Sequence, residues 1–139
     1  MQKGLTLVEA LVSMAVVGLM MAGLVSGFMQ THRTAEWSAY NLAAQSLALQ
    51  PIEQARAAKW DQYANPKVDF LVQSNFPRTT NVLDVPITGT NIVYATNEVG
   101  IRFIGTTPPL KEISVVTTWG FMNRGVFTNR AVTYRAPDQ

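Results

Sequence analysis

The chain has 139 residues, 11 basic and 9 acidic side chains, and no cysteine. Disulfide bonds and a thioether lipid anchor are therefore excluded, and the slim charge excess without a basic cluster makes nucleic acid an unlikely partner. The single histidine, His32, is interpreted as an interfacial polar residue. No metal ion or other cofactor is predicted.

The amino-terminal segment, residues 4–29, is apolar except for Glu9, and no charged residue occurs from Ala10 to Met29. At about 1.5 Å per residue such a helix reaches about 30 Å, which matches the hydrocarbon thickness of a bilayer. A removable signal sequence has a shorter apolar region, so we predict a membrane-spanning helix over residues 5–29. Lys3, ahead of the run, favours an inside amino terminus and an outside carboxyl-terminal domain.

Glu9 requires an explanation, because a carboxylate in or near hydrocarbon costs at least a few kcal/mol. Considered alone, it is explained by a position at the lipid headgroups, close to water. However, residues 3–9, KGLTLVE, followed by a long apolar helix resemble the amino-terminal signature of the type IV pilin and pseudopilin superfamily.

This resemblance implies roles for particular residues. A prepilin peptidase would cut between Gly4 and Leu5, remove the leader, residues 1–4, and methylate the new amino terminus of Leu5. Glu9 would be the family glutamate, and its carboxylate would meet the Leu5 amine of a neighbouring subunit, so that each neutralises the other and fixes the axial stagger. The family usually has phenylalanine after the cut, so Leu5 puts only the efficiency of cleavage in doubt.

Small residues recur within the apolar run, among them Gly18, Gly23 and Gly27, the last two forming a G-x-x-x-G pattern. In lipid, small residues let helix backbones approach closely, so we expect these glycines to contribute to assembly. The alternative is that glycine is simply frequent in membrane helices. The proline that pilins often have further along is absent, and Ser26 stands there.

Residues 30–139 are expected to form a globular domain that begins with the amphipathic continuation of the helix, residues 30–59. The predicted apolar face of this continuation consists of Trp37, Tyr40, Ala44, Leu47, Ala55 and Ala58. Pro51 interrupts the pattern, because an interior proline removes a backbone hydrogen bond. Either the helix bends there, which we favour, or a second helix begins at Pro51.

Residues 60–90 contain recurrent Asn and Pro and are predicted to form a loop region with one short strand at about residues 68–72. Beyond the loop, residues 91–136 change to a period of two, which predicts an antiparallel sheet packed on the amphipathic helix. Its strands are predicted at residues 91–96, 99–104, 111–119 and 126–135, with a reversal at 120–125. Trp119 is expected in the core.

The fold class is therefore α+β, a long amino-terminal helix packed on a carboxyl-terminal antiparallel sheet, which agrees with the pilin-like fold that the resemblance implies. No catalytic motif is found, so the protein is expected to be a substrate of enzymes and not itself an enzyme. The expected function is a structural subunit of a type II secretion pseudopilus or a type IV pilus-like filament. Short length and lack of cysteine favour a minor pseudopilin or minor pilin.

The expected partners are a prepilin peptidase, other pilin or pseudopilin subunits and the bacterial inner membrane. The protein would span that membrane once before assembly and lie in a periplasmic or extracellular filament afterwards. Two alternatives remain open. A membrane-anchored binding module would tolerate replacement of Gly4 and Glu9, whereas a DNA-uptake pilin would need a basic stripe, for which the candidates are Arg124, Arg130 and Arg135.

Overall fold

A computed structural model of the protein describes residues 6–83, 92–121 and 124–138. In these ranges the elements are the helix α1 (Leu7–Ala57) and the strands β1 (Trp60–Asp61), β2 (Val68–Asp69), β3 (Thr79–Val82), β4 (Tyr94–Thr106), β5 (Pro109–Gly120) and β6 (Val126–Arg135). A short 3-10 helix (Gln73–Asn75) precedes β3. By its internal contacts the chain divides into a first unit ending at Ser38 and a second unit beginning at Ala39.

The first unit is helical, and its large apolar side chains are exposed. Leu7, Met14, Leu19 and Phe28, for example, are each at least three-quarters exposed, with values from 75% to 77%. Their helix has a mean hydropathy of 2.1 over its most apolar window, which is long and apolar enough to cross a membrane. An exposed apolar helix of this kind is stable only where lipid or other protein replaces water around it.

In the second unit, one face of α1 is buried at near-helical spacing. Its buried residues are Tyr40, Ala44, Ala48, Pro51, Ile52 and Ala55. The helix ends at Ala57, two residues before the predicted end, and runs without interruption through Pro51, so a second helix beginning at Pro51 is wrong. Trp37, predicted on the buried face, is 37% exposed and precedes the second unit, which starts at Ala39.

Strands β3 to β6 form one antiparallel sheet in the order β3-β4-β5-β6. Alternate residues of β5 are buried, as predicted: Ile113, Val115, Thr117 and Trp119. The apolar side chains among them pack with the buried face of α1 in two clusters, one around Ile52 and Ile113 and the other around Tyr40 and Trp119. The layout of a long helix on an antiparallel sheet confirms the predicted fold class.

Strand β4 corrects the prediction of two strands, residues 91–96 and 99–104, because it is continuous across Asn97. Asparagine is a turn former, but Asn97 is only 2% exposed and its side chain is hydrogen-bonded inside the domain. Its Nδ2 donates to the Leu47 carbonyl at 3.2 Å, and its Oδ1 accepts from the Thr117 hydroxyl at 2.6 Å. These bonds satisfy the amide within the sheet, so no turn is needed there.

The predicted loop region, residues 60–90, contains more regular structure than expected. Strand β2 falls within the predicted residues 68–72 and pairs with β1 to form a two-stranded ribbon. Strand β3 adds a fourth strand to the sheet by pairing with β4. Part of the predicted loop and of strand 91–96, namely residues 84–91, lies outside the described residues.

A buried lysine ties the two-stranded ribbon to the sheet. Lys111, at the start of β5, is 7% exposed, and its Nζ donates to both carboxylate oxygens of Asp69, at 2.8 and 2.6 Å. The same Nζ donates to the Leu71 carbonyl at 2.6 Å and lies 4.7 Å from the centre of the Trp60 ring. The ammonium therefore has three acceptors and an aromatic face, as a buried charge requires.

The carboxyl-terminal end of the described chain is bound to the end of α1. Arg135 donates to the carbonyls of Ala55 and Ala58, which have no partner within the helix, and to the Asp138 carboxylate at 2.6 Å. The Asp138 carboxylate also accepts from the Trp60 backbone N–H at 2.9 Å. The Trp60 N–H and the Arg135 guanidinium hold the pKa of the Asp138 carboxyl below its usual range, because both favour the charged form.

Candidate processing and assembly site

The start of α1 is closed by a reciprocal pair of side chains, Thr6 and Glu9. The Thr6 hydroxyl oxygen accepts from the Glu9 backbone N–H at 3.3 Å, and Glu9 Oε2 accepts from the Thr6 backbone N–H at 3.4 Å. This is a capping box, in which the N-cap residue and the third helical residue satisfy each other's backbone donors. A negative charge is also favoured at a helix amino terminus.

The capping box gives Glu9 a role within its own chain that the sequence analysis missed. Thr6 was not among the predicted site residues, although the T-x-x-E spacing ahead of an apolar run is the usual signal for this motif. The Thr6 hydroxyl also lies 3.4 Å from Glu9 Oε2, and Ser13 donates its hydroxyl to the Glu9 carbonyl at 2.8 Å. Several local hydrogen bonds therefore connect the residues of this first turn.

The negative charge of Glu9 remains uncompensated within the part of the chain that the structure describes, where no ion pair includes it. Gly4 and Leu5, predicted to flank the cleavage site, lie outside the described residues. Of the residues predicted to act in processing and in the charge pairing, the structure describes Glu9, which lies in the first turn of α1. The expected contact of its carboxylate with a Leu5 amine stays a prediction.

The three predicted assembly glycines lie on α1 with open space around them. Among the described residues, a Cβ added to Gly18, Gly23 or Gly27 meets no other atom within 4 Å, apart from the helix's own backbone and adjacent residues. The packing of the chain itself therefore does not require glycine at these positions. A requirement for small side chains there would come from a molecule outside the chain, such as a second helix.

Two other candidates from the sequence analysis have local partners. His32 Nε2 lies 3.7 Å from Glu36 Oε1 one helical turn away, and the His32 ring lies 6.5 Å from that of Phe28. Among the described residues no group of three His, Cys, Asp or Glu side chains is placed to hold a metal ion. His32 thus contacts its own helix.

The three arginines considered for a DNA-binding stripe differ in their surroundings. Arg124 and Arg130 are exposed. The Arg135 side chain is only 15% exposed, and its guanidinium is bound to the end of α1 and to Asp138. The Arg135 guanidinium is therefore bound within its own domain, and the three side chains do not form one outward stripe.

The amino-terminal residues match a known family. Residues 1–25 match the family model of the prokaryotic N-terminal methylation motif. The chain carries the type IV pilin and pseudopilin signature. The matched residues include the predicted cleavage site, the capping box and Gly18, whereas Gly27 and the whole second unit lie beyond the match. Comparisons with curated proteins and with solved structures give no significant match.

The motif and the helix together support a type IV pilin-like protein that is processed by a prepilin peptidase. The long apolar helix that follows the motif fits a protein anchored once in the inner membrane. The signature points to a structural subunit rather than an enzyme.

Proposed function

We propose that the protein is a structural subunit of a type II secretion pseudopilus or a type IV pilus-like filament. The observation that carries this proposal is the methylation motif at residues 1–25, which continues into an exposed apolar helix with a single carboxylate, Glu9. A peptidase would cut between Gly4 and Leu5 and methylate the Leu5 amine. The proposal includes a leader, residues 1–4, and a membrane segment, residues 5–29.

Assembly is proposed to use the charge of Glu9, which has no ion-pair partner among the described residues. When helices leave lipid and bundle, a buried carboxylate and a buried amine stabilise each other. Removing one of them leaves the other as an unpaired buried charge, which costs about 3 to 5 kcal/mol. The Leu5 amine of a neighbouring subunit would meet Glu9 and fix the axial stagger between subunits. Gly18, Gly23 and Gly27 would allow the neighbouring backbone to approach closely.

Processing is tested by the intact mass and amino-terminal sequence of the protein expressed with a prepilin peptidase. We expect loss of residues 1–4 and one added methyl group on Leu5, and no processing of a Gly4→Val variant. A wild-type chain left intact by a peptidase that processes a known substrate in the same cells would contradict the proposal. The protein would then be better described as an anchored binding module.

The role of Glu9 in assembly is tested with two substitutions that separate its charge from its capping. Glu9→Gln keeps an acceptor for the Thr6 backbone N–H, because glutamine also completes a capping box, but removes the charge. Glu9→Ala removes both. We expect both variants to insert into the membrane and both to fail in filament assembly.

Filament formation by the Glu9→Gln variant at the wild-type level would refute a role for the charge and leave the capping box as the function of this residue. The matched control is Thr6→Ala, which weakens the cap and keeps the carboxylate. A charge-based mechanism predicts that Thr6→Ala assembles better than either Glu9 variant.

Within the filament class, we propose a minor pseudopilin or minor pilin, on the basis of the short, cysteine-free chain.

A further inference from the structure

The outer face of the sheet, opposite α1, is extended by β3 beyond β4 and includes the alternate residues of β4, β5 and β6 whose side chains point away from the core. On these three strands they are Tyr94, Thr96, Glu98, Gly100 and Arg102; Glu112, Ser114, Val116, Thr118 and Gly120; and Val126, Thr128, Arg130, Val132 and Tyr134. Large side chains at its ends are exposed, with 58% for Tyr94, 73% for Val126 and 59% for Tyr134. The face is therefore accessible and partly apolar.

Strand register places β4 and β6 on either side of β5. Val116 pairs with Glu98 on one side and with Arg130 on the other. Each of these two charged side chains is exposed, and neither forms an ion pair within the described residues. A negative and a positive charge thus flank β5, each on an adjacent strand.

We propose that this outer face binds the same face of a second copy of the chain, with a two-fold axis running along β5. Such an axis exchanges the β4 and β6 sides, so that Glu98 faces the partner's Arg130 and Arg130 faces the partner's Glu98. Both ion pairs form across one interface. This self-complementarity is what an isologous dimer requires, because each subunit contributes the same patch.

The cross-strand residues next to Glu98, Val116 and Arg130 also face each other under the same two-fold rotation. Gly100 and Val132 both pair with Ser114, so Val132 faces the partner's Gly100, beside which the Ser114 hydroxyl of that copy lies. Arg102 and Tyr134 both pair with Glu112. The Arg102 guanidinium, which donates to Glu112 of its own chain at 3.3 Å, would also lie opposite the partner's Tyr134 ring, a favourable cation–π arrangement.

The direction of the strands also suits two chains anchored in one membrane. In the second unit, Asn129 bonds to Asn41 and Arg135 bonds to the Ala55 carbonyl, so β6 runs in the same direction as α1. Strand β5 is antiparallel to β6 and therefore lies along the same line. An axis along β5 keeps the second-unit helices of the two copies pointing the same way.

The area of the face indicates a dimer that depends on membrane anchoring. Three strands at about 4.8 Å spacing and ten residues at about 3.3 Å give a face of roughly 400 to 500 Å² per copy. A stable interface in solution buries about 800 Å² per partner. Two anchored copies meet at a much higher effective concentration than free ones, which promotes a contact that would be weak in solution.

Cross-linking at the axis tests the proposal directly. The natural chain has no cysteine, so Val116→Cys gives full-length protein with a single thiol at the axis. Face-to-face sheets lie about 10 Å apart, too far for a disulfide, so the reagent is a short bismaleimide applied to membranes that lack filament assembly proteins. The control is Leu42→Cys, an exposed position of α1 that is 69% accessible and away from the sheet face.

We expect a cross-linked dimer from Val116→Cys and only a background yield from Leu42→Cys. In the Val116→Cys protein, Glu98→Arg or Arg130→Glu places like charges opposite each other and should lower the yield by about tenfold or more, since like-charge contacts cost several kcal/mol. The exchange Glu98→Arg with Arg130→Glu recreates both ion pairs and should restore it.

Equal yields from the two cysteine positions would overturn the proposal. So would a yield insensitive to the single reversals, or one that the charge exchange fails to restore, since that result would indicate a different partner or geometry. The assay needs neither prepilin peptidase nor filaments. Its outcome is therefore independent of the proposed filament function.

Discussion

Replacement of Asp69 by asparagine would test how the buried Lys111 stabilises the second unit. The Lys111 side chain is 9% exposed and that of Asp69 is 32% exposed, so the lysine has lost its hydration and the aspartate has kept part of it. Asparagine retains the shape and one acceptor but removes the compensating charge. The ammonium would keep the amide oxygen, the Leu71 carbonyl and the Trp60 ring as partners but would lose the opposite charge.

The expected effect follows from these contacts. Removing one partner of a buried ion pair costs about 3 to 5 kcal/mol. Because Asp69 is partly exposed and Lys111 keeps two other partners, we expect Asp69→Asn to lower the free energy of unfolding by about 2 to 3 kcal/mol. Lys111→Met leaves a hydrated carboxylate but an unpaired Leu71 carbonyl, which costs about 1 to 3 kcal/mol.

The decisive comparison is the double variant. Once the ammonium is gone, the charge on Asp69 has no partner to lose, so the double variant should be about as stable as Lys111→Met alone. The coupling between the two sites is then about 2 kcal/mol, which a double-mutant cycle measures. Urea unfolding of the full-length protein in detergent, followed by near-UV circular dichroism, provides the free energies. Additive effects of the two substitutions would refute the stabilising pair.

Three further predictions concern the same unit. Asn97→Ala leaves the buried Thr117 hydroxyl and the Leu47 carbonyl without their partners, so it should destabilise the protein by about 2 kcal/mol or more in urea unfolding. Asn97→Leu combined with Thr117→Val should cost less than the sum of the two single changes. The pKa of the Asp138 carboxyl is lower in the folded protein than its ordinary value of 3.8. The contribution of Asp138 to stability is therefore fully present above pH 3.8 and is lost as the pH falls through the folded pKa. The difference in unfolding free energy between wild type and Asp138→Ala should vanish in that acidic range. Gly125→Ala should destabilise by about 1 kcal/mol or more because the φ of Gly125 is +115°, while Gly120→Ala, with open space at its Cβ, should be nearly neutral in thermal unfolding.

Periodic patterns predicted most of the architecture. The apolar residues of α1 and the two-residue alternation of β5 and β6 are repeated over many positions, so errors at one residue do not change the assignment. The helix accordingly ends within two residues of the expected position. The hairpin between β5 and β6 was also predicted, because the reversal at residues 120–125 contains two glycines.

The errors occurred where distant partners decide the conformation. Asn97 lies within a strand because its amide bonds to Leu47 and Thr117, which are 50 and 20 residues away in sequence. Strand β3, with the sequence TTNV, has no clear apolar alternation and is a strand through its pairing with β4. No local pattern reports such contacts. Thr6 is different, because the capping-box spacing was visible in the sequence and was not used.

The contact of Arg135 with the end of α1 has a consequence for the order of events during synthesis. The carbonyl of Ala55 receives its donor from a residue 80 positions later in the chain. In a membrane-anchored protein the apolar helix would reach the membrane before that arginine is synthesised, so the chain would be anchored while the last turn of its helix still lacks the side chain that bonds to it. Folding of the second unit would thus finish on a chain already held at its other end.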